Sequence, residues 1–180
     1  KEGLVYRLDS DLVEWAYQLT KDVKIKDTDT MKNLRKKYVG YPNAQKPPFV
    51  LKGDHLAAMT FWHGELMNDW ANDWVDYWTE GKGEFVTSAM EETGTLQSLT
   101  FLEQAGKVDA QRVLVLRTAS NFSMPPPGVN PAVNLSGEKK GGYSAFIPSL
   151  EAAYDVGSKA VREIIANWDR YRTELPKPKE

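Results

Sequence analysis

An α/β layered domain with a mixed central sheet is the fold class this sequence predicts, and three observations predict it. Phe85-Val86-Thr87 is a short β-prone run that meets Met90-Glu91 and passes into a helical pattern with Leu96, Leu99, Leu102 and Ala105 on one face. A second apolar run, Val113-Leu114-Val115-Leu116, follows Gly106 and ends in Thr118-Ala119-Ser120-Asn121, so the segment 85–121 reads as a β-α-β unit. The 180 residues suit a single domain over 1–180, with no internal repeat and no boundary.

The remaining elements follow in order. Residues 1–8 read as a connector. Ser10 is a candidate helix cap, followed by Leu12, Val13, Ala16, Leu19 and Val23 on one face, with Asp11 at the positive end of the dipole. Asp27-Thr28-Asp29-Thr30 is a turn or cap before a charged helix over Met31 to Tyr38. Gly40-Tyr41-Pro42-Asn43 and Pro47-Pro48 break structure, and Phe49-Val50-Leu51 starts a strand. From Phe61 to Trp78 the apolar residues keep a helical period, with Trp62, Leu66, Trp70, Trp74 and Trp78 four apart. Such a stripe belongs to a core or an interface, including one between copies in a homo-oligomer. The stretch 122–148, rich in Pro and Gly, reads as a long loop that leaves directly after Asn121 and is placed to cover it. A last helix opens after Pro148 at Ser149, with a long apolar face ending at Trp168 and Tyr171.

Composition narrows the function classes. The formal net charge of -2 offers no broad field for nucleic acid or anionic lipid. The basic group Lys32, Arg35, Lys36 and Lys37 lies near Asp22, Asp27 and Asp29 and reads as a solvated helix face. With no cysteine there is no disulfide, thiolate metal site or cysteine nucleophile. No apolar run approaches the ~20 residues that span a bilayer as a helix. His55 and His63 stand eight apart without a third histidine, and no metal site is expected.

Three separated motifs point to one chemistry. Met90-Glu91 and Thr118-Ala119-Ser120-Asn121 fall where strands end, the place where open α/β sheets bind ligands. Upstream lies Gly53-Asp54-His55-Leu56-Ala57-Ala58-Met59-Thr60-Phe61-Trp62. Together these resemble, in order and spacing, the base-stacking, ribose-binding and base-contacting elements of the nucleoside phosphorylase superfamily. The wider stretches PNAQKPPFVLKGDHLAAMTFWHGE, TSAMEETGTL and LRTASNFSMPPPG are similar to the purine nucleoside permease family of fungi and bacteria, from about Leu12 to Tyr171.

The resemblance implies a nucleoside phosphorylase-like fold of which this chain is the C-terminal half. The N-terminal half of the same protein, with the phosphate loop, would be its partner. It also implies a purine nucleoside as ligand, an exported or cell-envelope setting, and no cofactor, phosphate entering only as a co-substrate. Phe61 and Trp62 would lie against the base, Met90 and Glu91 against the ribose, and Ser120 and Asn121 at the purine edge. A carboxylate accepts two hydrogen bonds at once, which suits adjacent 2′ and 3′ hydroxyls. Where the bacterial hexameric phosphorylases have Glu-Met-Glu, this chain has Ala89, so one sugar contact is absent or passes to Ser88 or Glu92.

Asn121 bears on mechanism. An Asp at this place can protonate N7 as the glycosidic bond breaks, whereas an amide can only donate and accept hydrogen bonds. Asn is competent to read a purine edge, as it reads adenine in DNA. Two readings follow: purine nucleoside recognition linked to uptake, or a phosphorylase or hydrolase releasing the base in salvage, with Asn121 as its catalytic group. The residues alone leave the question of an enzyme open.

Overall fold

The computed structural model describes residues 3–57, 59, 61–141 and 145–179, with the side chains of 138–141 left aside. It is mixed helix and sheet, as an α/β class requires. The parallel unit, however, is not the one the sequence suggests. β1 (Asp54–Ala57) and β2 (Phe85–Ala89) pair in parallel, and α3 (Glu65–Thr79) connects them and packs on both. The crossover unit is therefore β1-α3-β2, and the sheet of the described residues is two-stranded and parallel rather than mixed.

The apolar run 113–116 joins no ladder. Its best-packed side chain, Leu114, is taken up by helices instead. Leu114 packs on the cluster of Leu12, Trp15 and Tyr171, and Leu116 lies against Gly157. Phe49-Val50-Leu51 likewise forms no strand, with Phe49 and Leu51 exposed. Strand pairing starts later, where Gly53 lets the backbone approach β2 closely: a Cβ there would run into the Val86 side chain. A register irregularity falls directly after, between Asp54 and His55.

The helical layer is built from both ends of the chain. α1 (Ser10–Thr20) is capped by Asp9, not Ser10, because the Asp9 carboxylate accepts from the Leu12 amide at 2.8 Å. α2 (Asp29–Arg35) starts at the Thr28 cap, and Arg35 closes on Asp27 through two bonds of 2.7 and 2.8 Å. α4 (Glu92–Gln104) ends at Gly106 with φ 65, where the Gly106 and Lys107 amides return to the Glu103 and Leu102 carbonyls.

The stretch after Asn121 is not a bare loop. α5 (Pro131–Gly141) lies inside it, opened by the Asn130 side chain accepting from the Ala132 amide at 2.9 Å. Residues 142–144 of that stretch lie outside the described ones. α6 (Phe146–Ala166) begins before Pro148, which is tolerated in the first turn because its missing N–H has no helical partner to lose. α7 (Trp168–Tyr171) follows, and Trp15 and Tyr171 meet edge-to-face at 5.9 Å in the core. No helix of the described residues is long and apolar enough to cross a membrane.

Candidate functional site

The carboxyl end of the parallel pair is where polar residues gather. Ala57 pairs with Ala89, so the chain leaving β1 toward Phe61 and the chain leaving β2 at Met90-Glu91 start from the same edge. Glu91 occupies the cap position of α4, yet its side chain makes no capping bond. Instead the Met90 amide donates to Glu91 Oε2 at 3.3 Å, and Arg117 Nη2 donates to the same oxygen at 3.2 Å. The backbone amides of Met90 and Glu91 first, and the Arg117 guanidinium after them, hold the Glu91 carboxyl below the usual carboxylate range.

Arg117 carries the arrangement further. Its Nη1 donates to Glu92 Oε1 at 2.7 Å, and Glu92 Oε2 accepts from His55 Nε2 at 2.8 Å. An ionised carboxylate only accepts, so Nε2 donates to Glu92, and Nδ1 shares a hydrogen bond with the Thr87 hydroxyl at 2.9 Å. Thr87, His55, Glu92, Arg117 and Glu91 thus form one polar chain from β1 and β2, across the start of α4, to the segment before Thr118. Glu92 and His55 are largely enclosed, with side chains 12% and 14% exposed, while Glu91 is 69% exposed and faces solvent. The enclosed members build a scaffold, and the Glu91 carboxylate stands at its solvent-exposed end.

A second set of bonds brings in the upstream motif. The Gly64 amide donates to the Ser123 carbonyl at 2.9 Å, and Ser123 Oγ donates to Asn68 Oδ1 at 2.6 Å. The turn after Asn121 is therefore fastened to the start of α3, a few residues past Phe61 and Trp62. Gly64 sits at φ 134 with Pro131 against it, a backbone that other residues rarely adopt. Tyr38, buried at the end of the basic segment, supports the same turn: its hydroxyl donates to the Met124 carbonyl at 2.9 Å, and its ring meets Phe122 at 4.3 Å. Gly64–Ser123 and Arg117–Glu91 tie together three segments far apart in sequence.

The predicted residues do not all stand alike. Met90 is 44% exposed and Phe61 is 51% exposed. Trp62 instead packs its ring on Phe85 at 6.2 Å. Phe85 opens β2, about 16 Å along the strand from Met90 at the usual rise per residue. Ser120 Oγ donates to Asn121 Oδ1 at 2.9 Å, and Asn121 Nδ2 donates to the Phe122 carbonyl at 3.2 Å. Both ends of the Asn121 amide are thus engaged within its own turn.

Sequence does not point to His55 or Arg117 for the site, and to Glu92 only as a stand-in for the sugar contact absent at Ala89. For His55 and Glu92 the signal is weak, since a histidine in a strand and a glutamate in a first helical turn are common. Arg117 had a signal: a charge closing the run Val113-Leu114-Val115-Leu116 needs a partner at the end of that run.

The fold defines an α/β chain with an exposed carboxylate, a candidate site, at the end of a parallel strand pair. The chain belongs to the purine nucleoside permease family, whose model matches residues 1–176. It is 30% identical over 167 residues to a purine nucleoside permease of Candida albicans, covering 92% of this chain and 40% of that protein. It is 26% identical over 164 residues to a probable purine nucleoside permease of Schizosaccharomyces pombe, covering 91% of this chain and 46% of that protein. The chain thus spans less than half the length of these relatives. No solved structure matches it.

Proposed function

We propose that this chain carries a purine nucleoside recognition site of a protein that serves nucleoside uptake. What supports the reading most is the linkage around the three motifs: Arg117, beside Thr118, bonds Glu91, and Gly64, two residues past Trp62, bonds Ser123, two residues past Asn121. The relatives' description as purine nucleoside permeases supplies the ligand class. The nucleoside phosphorylase-like fold, with this chain as its C-terminal half, is part of the same proposal.

In this reading the Glu91 carboxylate accepts the 2′ and 3′ hydroxyls of ribose, held ionised and aimed by the Met90 amide and Arg117. Met90 lies against the apolar face of the sugar. Phe61 stacks on the base, a role that suits it better than Trp62, whose ring is occupied by Phe85. Asn121 turns out of its local bonds, with Ser120 releasing Oδ1, and pairs with the purine edge. Swapping two internal hydrogen bonds for two to the ligand costs little, because the exchange conserves their number.

Asn121 favours recognition over cleavage, since an amide has no proton to give N7 at neutral pH. Incubation of the complete polypeptide with adenosine, guanosine and inosine, with and without phosphate, followed by chromatography for free base, tests this. The expected result is saturable binding with no base released. Release that requires phosphate would make the protein a phosphorylase, and release without it a hydrolase.

A further inference from the structure

The accessible surface of the chain is too large for its mass. A compact monomer of this mass exposes about 8,800 Å² by the size scaling of folded proteins. This chain exposes 12204 Å², an excess of roughly 3,400 Å². The interior agrees, for no large side chain among the described residues is fully buried. Counted on one side, that excess is larger than the roughly 1,000–2,500 Å² per partner of permanent interfaces.

α6 shows where part of the missing cover belongs. One face of it is spent: Ser149, Ala152 and Val156 are buried, and Ala160 and Ile164 pack on the Leu12-Trp15-Tyr171 cluster. The opposite face carries Ile147, Leu150, Tyr154, Val161 and Ile165, continued by Trp168 at the start of α7, each more than half exposed. Their spacing alternates threes and fours with one step of seven, the pattern of a helix face made for a second helix or a sheet. Beside it an open groove of about 580 Å³ lies between Lys26, Leu150, Glu151, Tyr154 and Asp155, and the Lys26–Glu151 pair at 3.0 Å gives it a charged rim. An apolar centre with a charged edge is the anatomy of a docking face.

We propose that this row is the docking face for the rest of the same polypeptide, the three fifths of the length that the Candida relative has beyond the matched segment. A second copy of this chain fits less well. An isologous contact of standard size covers about 800 Å² per partner. The excess is several times larger and extends to Trp70, Trp74 and Tyr77 on α3. A segment longer than this chain can cover several faces at once, completing a core rather than joining two finished ones. The inference rests on surface and length and is independent of what the site binds.

Hydroxyl-radical labelling of Tyr154 and Trp168 in the complete encoded polypeptide, native against denatured, tests it. Burial of side chains now 67% and 58% exposed predicts native labelling at least about fivefold below denatured, unchanged on dilution. Leu150→Asp with Ile165→Asp should return labelling toward the denatured level. Should that variant fail to fold, the wild-type comparison still decides. Labelling close to the denatured rate overturns the proposal. So does protection that vanishes as dilution yields monomer, which would assign the face to a second copy, or an encoded polypeptide made of these 180 residues alone.

Discussion

Glu91 combines exposure with a carboxyl group held in its charged form, and its pH behaviour follows from that. Its pKa in the fold is lowered, so its charged form persists to lower pH than that of an ordinary glutamate. With inosine as ligand, affinity measured against pH should stay level from neutrality toward the ordinary carboxylate range near about 4.3, and the midpoint of its fall should lie below that range. A fall beginning above pH about 5 would mean that another group governs binding. Arg117 bonds this carboxylate, and Arg117→Met should weaken nucleoside binding severalfold at most, as an exposed ion pair allows. Arg117→Lys should recover part of it, and equal losses for both variants would contradict a positioning role. At this scale motif spacing put Met90, Glu91, Ser120 and Asn121 forward as candidates. It was silent on the Thr87–His55–Glu92–Arg117 chain, because that chain exists only once β1 is laid beside β2 in register.

Among the elements, helices were the more legible and strands the less. A helix satisfies its backbone within itself, so its period and caps are local: α1, α2 and α4 lie close to where their apolar spacing and cap residues put them. α5 was missed although Asn130-Pro131, an amide cap followed by Pro at the first helical position, announced it. A strand depends on a neighbour that the local sequence does not name. Val113–Leu116 has strand composition, yet Leu114 finds its burial among α1, α6 and α7, so no ladder is needed to hide it. Two substitutions test these placements. Gly53→Ala drives a methyl into Val86 at the point where β1 meets β2, and should lower stability by about 1–3 kcal/mol in urea unfolding. No loss there would mean that the close approach is absent. Asn130→Ala removes the α5 cap and should cost about 1 kcal/mol in the same measurement, with Asn130→Ser largely restoring it.

For the molecule as a whole, the ends of the chain form one helical layer, and the middle carries the parallel strands and the site. The α/β class was legible from the alternation of patterns along 49–121. The extent of the sheet was not, since every strand beyond β1 and β2 must come from pairing that no local pattern specifies. The central claim is that the end of this sheet receives a purine nucleoside through Glu91. Calorimetric titration of the complete polypeptide with inosine and adenosine, beside its Glu91→Gln variant, tests that claim most directly. Gln keeps the size of the side chain and removes the charge that accepts both hydroxyls. The account predicts saturable binding to the native protein, weakened by about a hundredfold or more in a variant whose circular dichroism is unchanged. Equal affinity for the two proteins would contradict it.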